Sequence, residues 1–248
     1  MNSAIKAEFR KLTTVRSTYF ISALALLLVC FFAFYVSGWR INNSDLHNPT
    51  TLAGDVTGAI HVVSIFAAFI AVLLVTHEYR YNTIMHTLTL SNSRSKVLVA
   101  KILVITGFAV VFTVVLGVIS PLLSLLGIHA HHLNLVPQTI HYSNLIWRSL
   151  FFGWGYVMAG LLIATLVRNQ VGTIIILLIA PATIEGLLGL VLKSNSVYLP
   201  FTSLDTVLGQ SLNYRTTITP LRAVFIFSSY LVIGWIIAWI LFLRRDAN

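Results

Sequence analysis

The amino-acid sequence predicts an all-α integral membrane protein with six transmembrane helices, and two observations support that fold class. Of the 248 residues, 57% are apolar and only 9% are charged, and the mean hydropathy of +0.88 lies far above that of soluble globular chains. The charged residues stand at the ends of apolar runs about 20 residues long, which is the length that crosses a hydrocarbon core about 30 Å thick. We therefore predict one transmembrane domain that comprises the whole chain, residues 1–248.

The individual spans follow from the apolar runs. They are predicted at residues 17–39, 56–75, 98–120, 145–167, 172–192 and 223–243. The third span is predicted to break near Ser120 and Pro121, because proline lacks the N–H group that continues a helix. Only residues 168–171, which include the polar Arg168, Asn169 and Gln170, separate the fourth span from the fifth, so these two must be antiparallel neighbours.

Residues 1–16, which precede the first span, predict a helix that lies in the plane of the lipid headgroups. Ile5, Phe9 and Leu12 share one face, and basic residues occupy the rest. Basic residues before an apolar core are also typical of a cleavable signal peptide. The apolar run is too long for one, however, and no small-x-small site ends it, so we expect the first span to be retained.

The distribution of basic residues predicts the orientation. Six spans place both termini on one side, and lysine and arginine are enriched on the cytoplasmic side of membrane proteins. With the N-terminus inside, eleven of the sixteen basic residues fall on inner segments: Lys6, Arg10, Lys11, Arg16, Arg80, Arg94, Lys96, Lys101, Arg168, Arg244 and Arg245. We therefore expect a multi-pass protein of the cell membrane with both termini in the cytoplasm.

The positive net charge and the single cysteine exclude some functions. The net charge of +9 is spread over the ends of apolar runs, whereas a nucleic-acid surface needs basic residues on one face, so we expect no nucleic-acid partner. Cys30 is the one cysteine, which rules out an intrachain disulfide and a cysteine metal cluster.

The segment from Thr76 to Lys101 is a polar and basic island between two apolar runs. Within it Tyr81, Ile84, Met85 and Leu88 recur at i, i+3, i+4 and i+7, and Arg80, Asn82, Thr83 and Thr87 face elsewhere. This spacing predicts a short helix with one apolar stripe that lies against another surface.

The island and the N-terminal segment AEFRKLTTVRSTYF resemble the permease subunits of type-2 ABC transporters. The run VTHEYRYNTIMHTLTLSNSRSKVLVAKIL is similar to that family's pattern of E-Y-R-x-G-T, then T-L, then S-R, then a lysine that begins the third span. The matching positions are Glu78, Tyr79, Arg80, Thr83, Thr87, Leu88, Arg94 and Lys101. Asn82 stands where the family commonly has glycine, and Asn tolerates a left-handed backbone better than most residues.

The resemblance implies a coupling helix that docks in a groove of a separate ABC ATPase subunit. The residues that it assigns to this docking are Glu78, Arg80, Tyr81, Ile84, Met85, Leu88 and Arg94. It also implies a second copy of the permease or a related permease. ATP and magnesium would be bound by the partner, and we expect no cofactor in this chain. Export of a hydrophobic or amphipathic compound or peptide is the expected activity.

The sequence has neither of two motifs that would indicate catalysis within the chain. No G-x-x-x-x-G-K-[ST] motif occurs, so the chain has no P-loop and we do not expect it to be an enzyme. His77 and Glu78 begin an H-E-x-x-H pattern, but Tyr81 stands where the second histidine is needed. The alternatives are an ion-coupled secondary transporter, another multi-pass protein without an ATPase partner, and an intramembrane enzyme.

Several residues within or near the spans have two interpretations each. Glu185 lies inside an apolar run with Arg148 as its expected neighbour, and the pair is either a part of the cargo path or a structural contact. His129, His131, His132 and His141 are interpreted as a solvated loop rather than a metal site, because no cysteine or carboxylate accompanies them.

Small residues are assigned to helix packing, and Trp147, Trp154, Trp235 and Trp239 are interpreted as interface or packing aromatics. Gly155 with Ala159, and Gly160 with Ala164, form small-xxx-small pairs, either within the subunit or at a dimer interface.

The region after Tyr198 has two interpretations. In the first, Ser203 could cap a short interfacial or re-entrant helix that carries Leu204, Leu208 and Leu212. An ordinary surface loop is an equal alternative.

Overall fold

The computed structural model describes residues 2–39, 49–81, 94–132, 142–209 and 218–244. All regular secondary structure within these ranges is helical. Six of the described segments are long and apolar enough to cross a membrane: Arg16–Val36, Gly58–Arg80, Ser95–Ala130, Ile146–Val167, Gln170–Tyr198 and Pro220–Arg244. The all-α fold class with six spans is therefore confirmed.

The helices follow one another along the chain. The first half contains α1 (Asn2–Thr14), α2 (Arg16–Phe31) with a π-helical continuation (Phe32–Trp39), α3 (Pro49–Arg80) and α4 (Arg94–Ala130). The second half contains α5 (Tyr142–Val167), α6 (Gln170–Ile179), a π-helical segment (Ala180–Ile184), α7 (Glu185–Leu192), a 3₁₀ segment (Lys193–Tyr198), α8 (Pro200–Leu208) and α9 (Pro220–Arg244).

Helices α3 and α5 form the centre of the bundle. In their membrane-spanning windows 67% and 61% of the residues are buried, against 17% in the first, fifth and sixth spans. Small side chains permit this close approach, since a Cβ added to Gly160 of α5 would lie 3.2 Å from the Cβ of Ala68 in α3. The outer helices therefore pack around an α3–α5 pair.

The small residues of α5 pack within the subunit. A Cβ at Gly155 would lie 2.7 Å from Phe227 of α9 and 3.1 Å from Leu204 of α8. Ala159 and Ala164 are likewise buried. Of the two interpretations of the small-xxx-small pairs, the structure therefore favours packing inside one subunit.

Two ends of the bundle can be defined from its contacts. His61, near the start of α3, contacts Asp205 of α8 at one end. Glu78, near the last residue of α3, contacts Lys11 of α1 at the opposite end. We call this the α1 end, because α1 packs there against α4. We call the other the α8 end, because α8 lies there between α5 and α9.

The predicted break at Ser120 and Pro121 is wrong. Helix α4 continues without interruption from Arg94 to Ala130 with Pro121 in its interior. Proline removes one backbone hydrogen bond, and transmembrane helices tolerate this loss where neighbouring helices hold both halves in place. Here the π-helical continuation of α2 packs along α4, and the Ser124 hydroxyl donates to the Ser120 carbonyl at 3.1 Å.

The second and fifth spans also differ from their predicted bounds. Helix α3 continues beyond Val75 to Arg80, and the buried Thr76 hydroxyl donates to the Val72 carbonyl at 2.8 Å. The island therefore begins as a part of α3. The fifth span is divided by the π-helical segment that contains Pro181.

The short helix expected after Tyr198 is present as α8, but Ser203 does not cap it. The helix begins at Pro200 with Leu199 in the N-cap position, since proline suits the first helical position, where its missing N–H is not needed. Leu204 and Leu208 are buried as expected, and Leu212 lies outside the described residues.

Candidate functional site

Four charged side chains from three helices meet at the α1 end of the bundle. The Lys11 ammonium nitrogen of α1 lies 2.8 Å from a carboxylate oxygen of Glu8 and 2.5 Å from one of Glu78, at the end of α3. The Lys101 ammonium nitrogen of α4 lies 2.8 Å from Glu8 and 2.9 Å from Glu78. We call these residues the four-charge cluster (Glu8, Lys11, Glu78 and Lys101), in which two acids and two bases alternate.

Helix α1 enters the cluster with a face that the apolar stripe did not predict. Leu12 is buried and Ile5 packs against the core, but Phe9 is 58% exposed. The buried face therefore passes through Ile5, Glu8 and Leu12, at i, i+3 and i+7, and it carries the carboxylate of Glu8 into the bundle. An acid between two apolar residues of an otherwise basic helix was the sequence signal for this contact.

The cluster is stable only as a set. Glu8 and Lys101 are each 2% exposed and Glu78 is 5% exposed, and a buried charge needs both an opposite charge and hydrogen bonds. Removal of one partner from a buried pair typically costs about 3–5 kcal/mol, because the remaining charge is left uncompensated. The cluster therefore ties α1, the end of α3 and the start of α4 into one unit.

The two neighbouring carboxylates keep the Lys11 side chain protonated. Burial lowers the pKa of the Lys11 ammonium, whereas the carboxylates of Glu78 and Glu8 raise it, and the pKa ends above its ordinary value of 10.5. Lys11 is therefore protonated at neutral pH and retains both ion pairs.

A second set of contacts lies beside the cluster and joins α3 to the link between α5 and α6. The Arg168 guanidinium lies 5.1 Å from the centre of the Tyr79 ring, and Arg80 donates to the Gln170 side chain at 3.4 Å. Arg168 has a φ of 57°, in the left-handed region, and Asn169 then caps α6 by accepting from Gly172 N–H at 2.9 Å. The end of α3 is thus held from two sides.

The structure describes only some of the residues assigned to ATPase docking. Glu78 pairs with Lys101 and Lys11, whereas Arg80 donates to Gln170. Tyr81 follows α3 and is 64% exposed. Ile84, Met85 and Leu88 lie outside the described residues, and Arg94 begins α4 with a side chain that is also outside them. Glu8 and Lys11 were missed by the sequence interpretation.

Glu185 does not pair with Arg148. Its carboxylate accepts from the N–H groups of Phe201 and Thr202 at 2.8 Å and 2.6 Å, and from the Thr202 hydroxyl at 2.8 Å. These are the first free donors of α8, so Glu185 caps that helix from the neighbouring span. Arg148 instead lies 5.7 Å from the centre of the Trp147 ring.

The tryptophans and histidines noted in the sequence lie in different parts of the bundle. Trp154, Trp235 and Trp239 line an apolar groove of about 430 Å³ between α5 and α9. His131 contacts the Trp39 ring, with ring centres 5.1 Å apart, and His141 lies outside the described residues. Within the described ranges, no group of three His, Cys, Asp or Glu side chains is arranged to hold a metal ion.

The six long apolar helices define a multi-pass helical membrane protein. The profile of the family described as "ABC-2 family transporter protein" matches residues 4–181, which is more than two thirds of the chain. The chain therefore belongs to the ABC-2 family and is an ABC transporter permease. The match includes all four residues of the four-charge cluster and ends before Glu185. A search of curated proteins found no match.

Proposed function

We propose that this chain is the permease subunit of an ATP-driven exporter in the cell membrane, with its N-terminus in the cytoplasm. A separate ABC ATPase subunit binds ATP and magnesium, docks on the segment between α3 and α4, and supplies the energy. A second copy of the chain, or a related permease, completes the path. The cargo is a hydrophobic or amphipathic compound or peptide.

The observation that carries this proposal is the four-charge cluster. Glu78 stands four residues before the segment 82–93 begins and Lys101 stands eight residues after it ends, so the cluster joins both flanks of the predicted coupling helix to α1. Because buried ion pairs join the flanks of this segment, a displacement of the segment by the docked ATPase moves α3, α4 and α1 together. Because α3 is central in the bundle, such a motion reaches the whole subunit.

The orientation is supported by the charges at the α1 end. Arg10, Arg80, Lys96, Arg168 and Arg244 all belong to this end, and the positive-inside rule assigns the more basic end to the cytoplasm. The docking segment then lies on the side of the membrane where ATP is available.

The experiment is purification of the tagged chain from its native membrane in a mild detergent, followed by identification of the copurifying subunits and an assay of ATP hydrolysis. We expect a P-loop ATPase to copurify and to hydrolyse ATP in the complex. A variant with Glu78→Gln and Lys101→Met tests the coupling directly: the ATPase should remain bound, while export per ATP hydrolysed decreases. Transport by the chain alone in proteoliposomes, driven by an ion gradient, would overturn the proposal.

A further inference from the structure

The exposed face of α1 is basic, because the acid of this helix is turned into the bundle. Lys6 and Arg10 are exposed. Glu8 is only 2% exposed, and its carboxylate is bound by Lys11 and Lys101. Lys6 and Arg10 are four residues apart, so they are neighbours on one side of the helix, where two like charges repel each other. An anion between them would remove this repulsion.

Within the described ranges, no carboxylate of the chain is left to supply that anion. At the α1 end the described carboxylates are those of Glu8 and Glu78, and both belong to the four-charge cluster. The described residues form no ion pair with Lys6, Arg10 or the exposed Arg16. These three bases on and beside α1 therefore receive no counter-charge from the part of the protein that the structure describes.

Helix α1 lies at the level of the membrane surface. Only Val15 separates it from α2, and the first transmembrane segment begins at Arg16. The Tyr19 hydroxyl of α2 donates to the Thr13 carbonyl of α1, which brings this aromatic side chain next to the helix. Tyr19 and Phe20 are 61% and 71% exposed, and exposed aromatic residues at this depth are typical of the lipid interface.

The apolar contribution of α1 to lipid binding is small. Ile5 and Leu12 are used by the bundle, and only Phe9 of the predicted apolar stripe is left for lipid, at 58% exposure. An interfacial helix binds a membrane through its buried apolar area and through attraction between its bases and anionic lipids. Because one phenylalanine supplies little area, the attraction must come mainly from Lys6 and Arg10.

We propose that the exposed face of α1 is a binding site for an anionic phospholipid. The phosphate group of the lipid lies between Lys6 and Arg10, and Arg16 adds a third positive charge at the start of the first span. Phe9 inserts beside the acyl chains. A zwitterionic phospholipid carries a cation next to its phosphate and compensates less of this charge, so the site selects lipids by net charge. The site is independent of export and of the ATPase partner.

The test measures which lipids collect next to α1 in the full-length chain. Ala7→Cys is introduced in a Cys30→Ser background, because Ala7 is exposed on α1 and no other cysteine then remains. The new thiol carries a fluorophore, and the protein is reconstituted without ATPase in phosphatidylcholine nanodiscs. Phosphatidylglycerol or phosphatidylcholine with a nitroxide on its acyl chain is added at the same mole fraction. Quenching of the fluorophore then measures how much of each lipid lies beside α1.

We expect the phosphatidylglycerol quencher to be enriched over the phosphatidylcholine quencher by roughly 25-fold, since each of two bases near an anionic surface contributes a factor of about five. Lys6→Gln and Arg10→Gln should each reduce the enrichment about five-fold, and Arg10→Lys should retain it because the charge remains. The matched control is Arg244→Gln, since Arg244 is an exposed base on another helix at the same end. This variant should leave the enrichment unchanged. All variants are compared at the same thermal midpoint in phosphatidylcholine alone.

Equal quenching by the two lipids overturns the site. An equal loss of enrichment in Arg244→Gln also overturns it, because the attraction would then belong to the whole basic end of the bundle. A further arm adds soluble glycerol phosphate at millimolar concentration. The enrichment should persist, since a soluble phosphate has no acyl chains to lie beside Phe9. Displacement of the lipid by glycerol phosphate would indicate a site for free phosphate and would contradict the proposal.

Discussion

Lys101 and Glu8 are 93 residues apart in the sequence, yet their side chains meet at 2.8 Å in the interior of the protein. Each is only 2% exposed, and the contact joins the N-terminal helix to the third span. Through Glu78 and Lys11 the same contact extends to the end of α3. The N-terminal helix is therefore a structural part of the bundle and not only a surface anchor.

Loss of Lys101 should destabilise the protein strongly. Lys101→Met retains the length and the apolar stem but leaves Glu8 and Glu78 with Lys11 as their shared cation. We expect a loss of about 3–5 kcal/mol in the free energy of unfolding, as for other buried pairs that lose one partner. The measurement is denaturant unfolding in detergent micelles. Lys96→Met is the control, because Lys96 is an exposed lysine on the same helix, and its effect should stay within about 0.5 kcal/mol.

A second variant separates lost charge balance from lost packing. Glu8→Gln combined with Lys101→Met removes one acid and one base, so the double variant should be more stable than the sum of the single changes predicts. Strict additivity of the two effects would contradict the cluster as a coupled set.

The contribution of Lys11 should disappear only at alkaline pH. Because the pKa of Lys11 is raised above its ordinary value of 10.5 in the folded state, its stabilisation is complete below pH 10.5 and is lost as the pH rises through the folded-state pKa. We expect the thermal midpoint of the wild type to fall more steeply than that of Lys11→Met above this pH. Equal slopes, measured at constant ionic strength, would show that Lys11 does not carry this linkage.

Substitution of Gly155 should disturb the contact of α5 with α8 and α9. A Cβ there would meet Phe227 at 2.7 Å and Leu204 at 3.1 Å, so we expect Gly155→Ala to destabilise by about 1–3 kcal/mol through overpacking. Gly107→Ala in α4 is the matched control, since nothing lies within 4 Å of a Cβ at Gly107. It should be neutral or slightly stabilising, because alanine favours a helix over glycine. The stabilities of the two variants are compared by thermal unfolding. A Gly107→Ala variant less stable than Gly155→Ala would refute the predicted overpacking at Gly155.

The apolar stripe between α3 and α4 should be the ATPase docking face. Met85→Asp or Leu88→Asp should release the ATPase or uncouple its ATP hydrolysis from transport, since a charge on the stripe opposes burial in an apolar groove. Thr87→Asp, which lies off the stripe, should have little effect. Copurification and ATP hydrolysis are measured for each variant after insertion into the membrane has been verified. Equal damage from Thr87→Asp would show that the stripe is not the docking face.

The differences between prediction and structure arise where distant residues meet. Several cations stand near Glu78 in the sequence, among them Arg80 and Arg94, and only the packing of the helices selects Lys101 and Lys11 as its partners. Glu185 was recognised as an unusual intramembrane acid, and its true partners, the backbone donors of α8, have no sequence signature because every residue except proline has an N–H group. Pro121 suggested a break by local reasoning, but α4 is continuous, and the π-helical continuation of α2 packs along it.

The sequence by itself determined the membrane class, the six spans and the family resemblance. The reason is that a bilayer imposes its length and polarity requirements on each segment separately, so local composition is sufficient to recognise them. The tertiary structure alone decided that Glu8 joins Lys101, that the small residues of α5 pack within one subunit, and that Glu185 caps α8. These are pairings between helices, and their choice depends on which faces meet when the bundle packs.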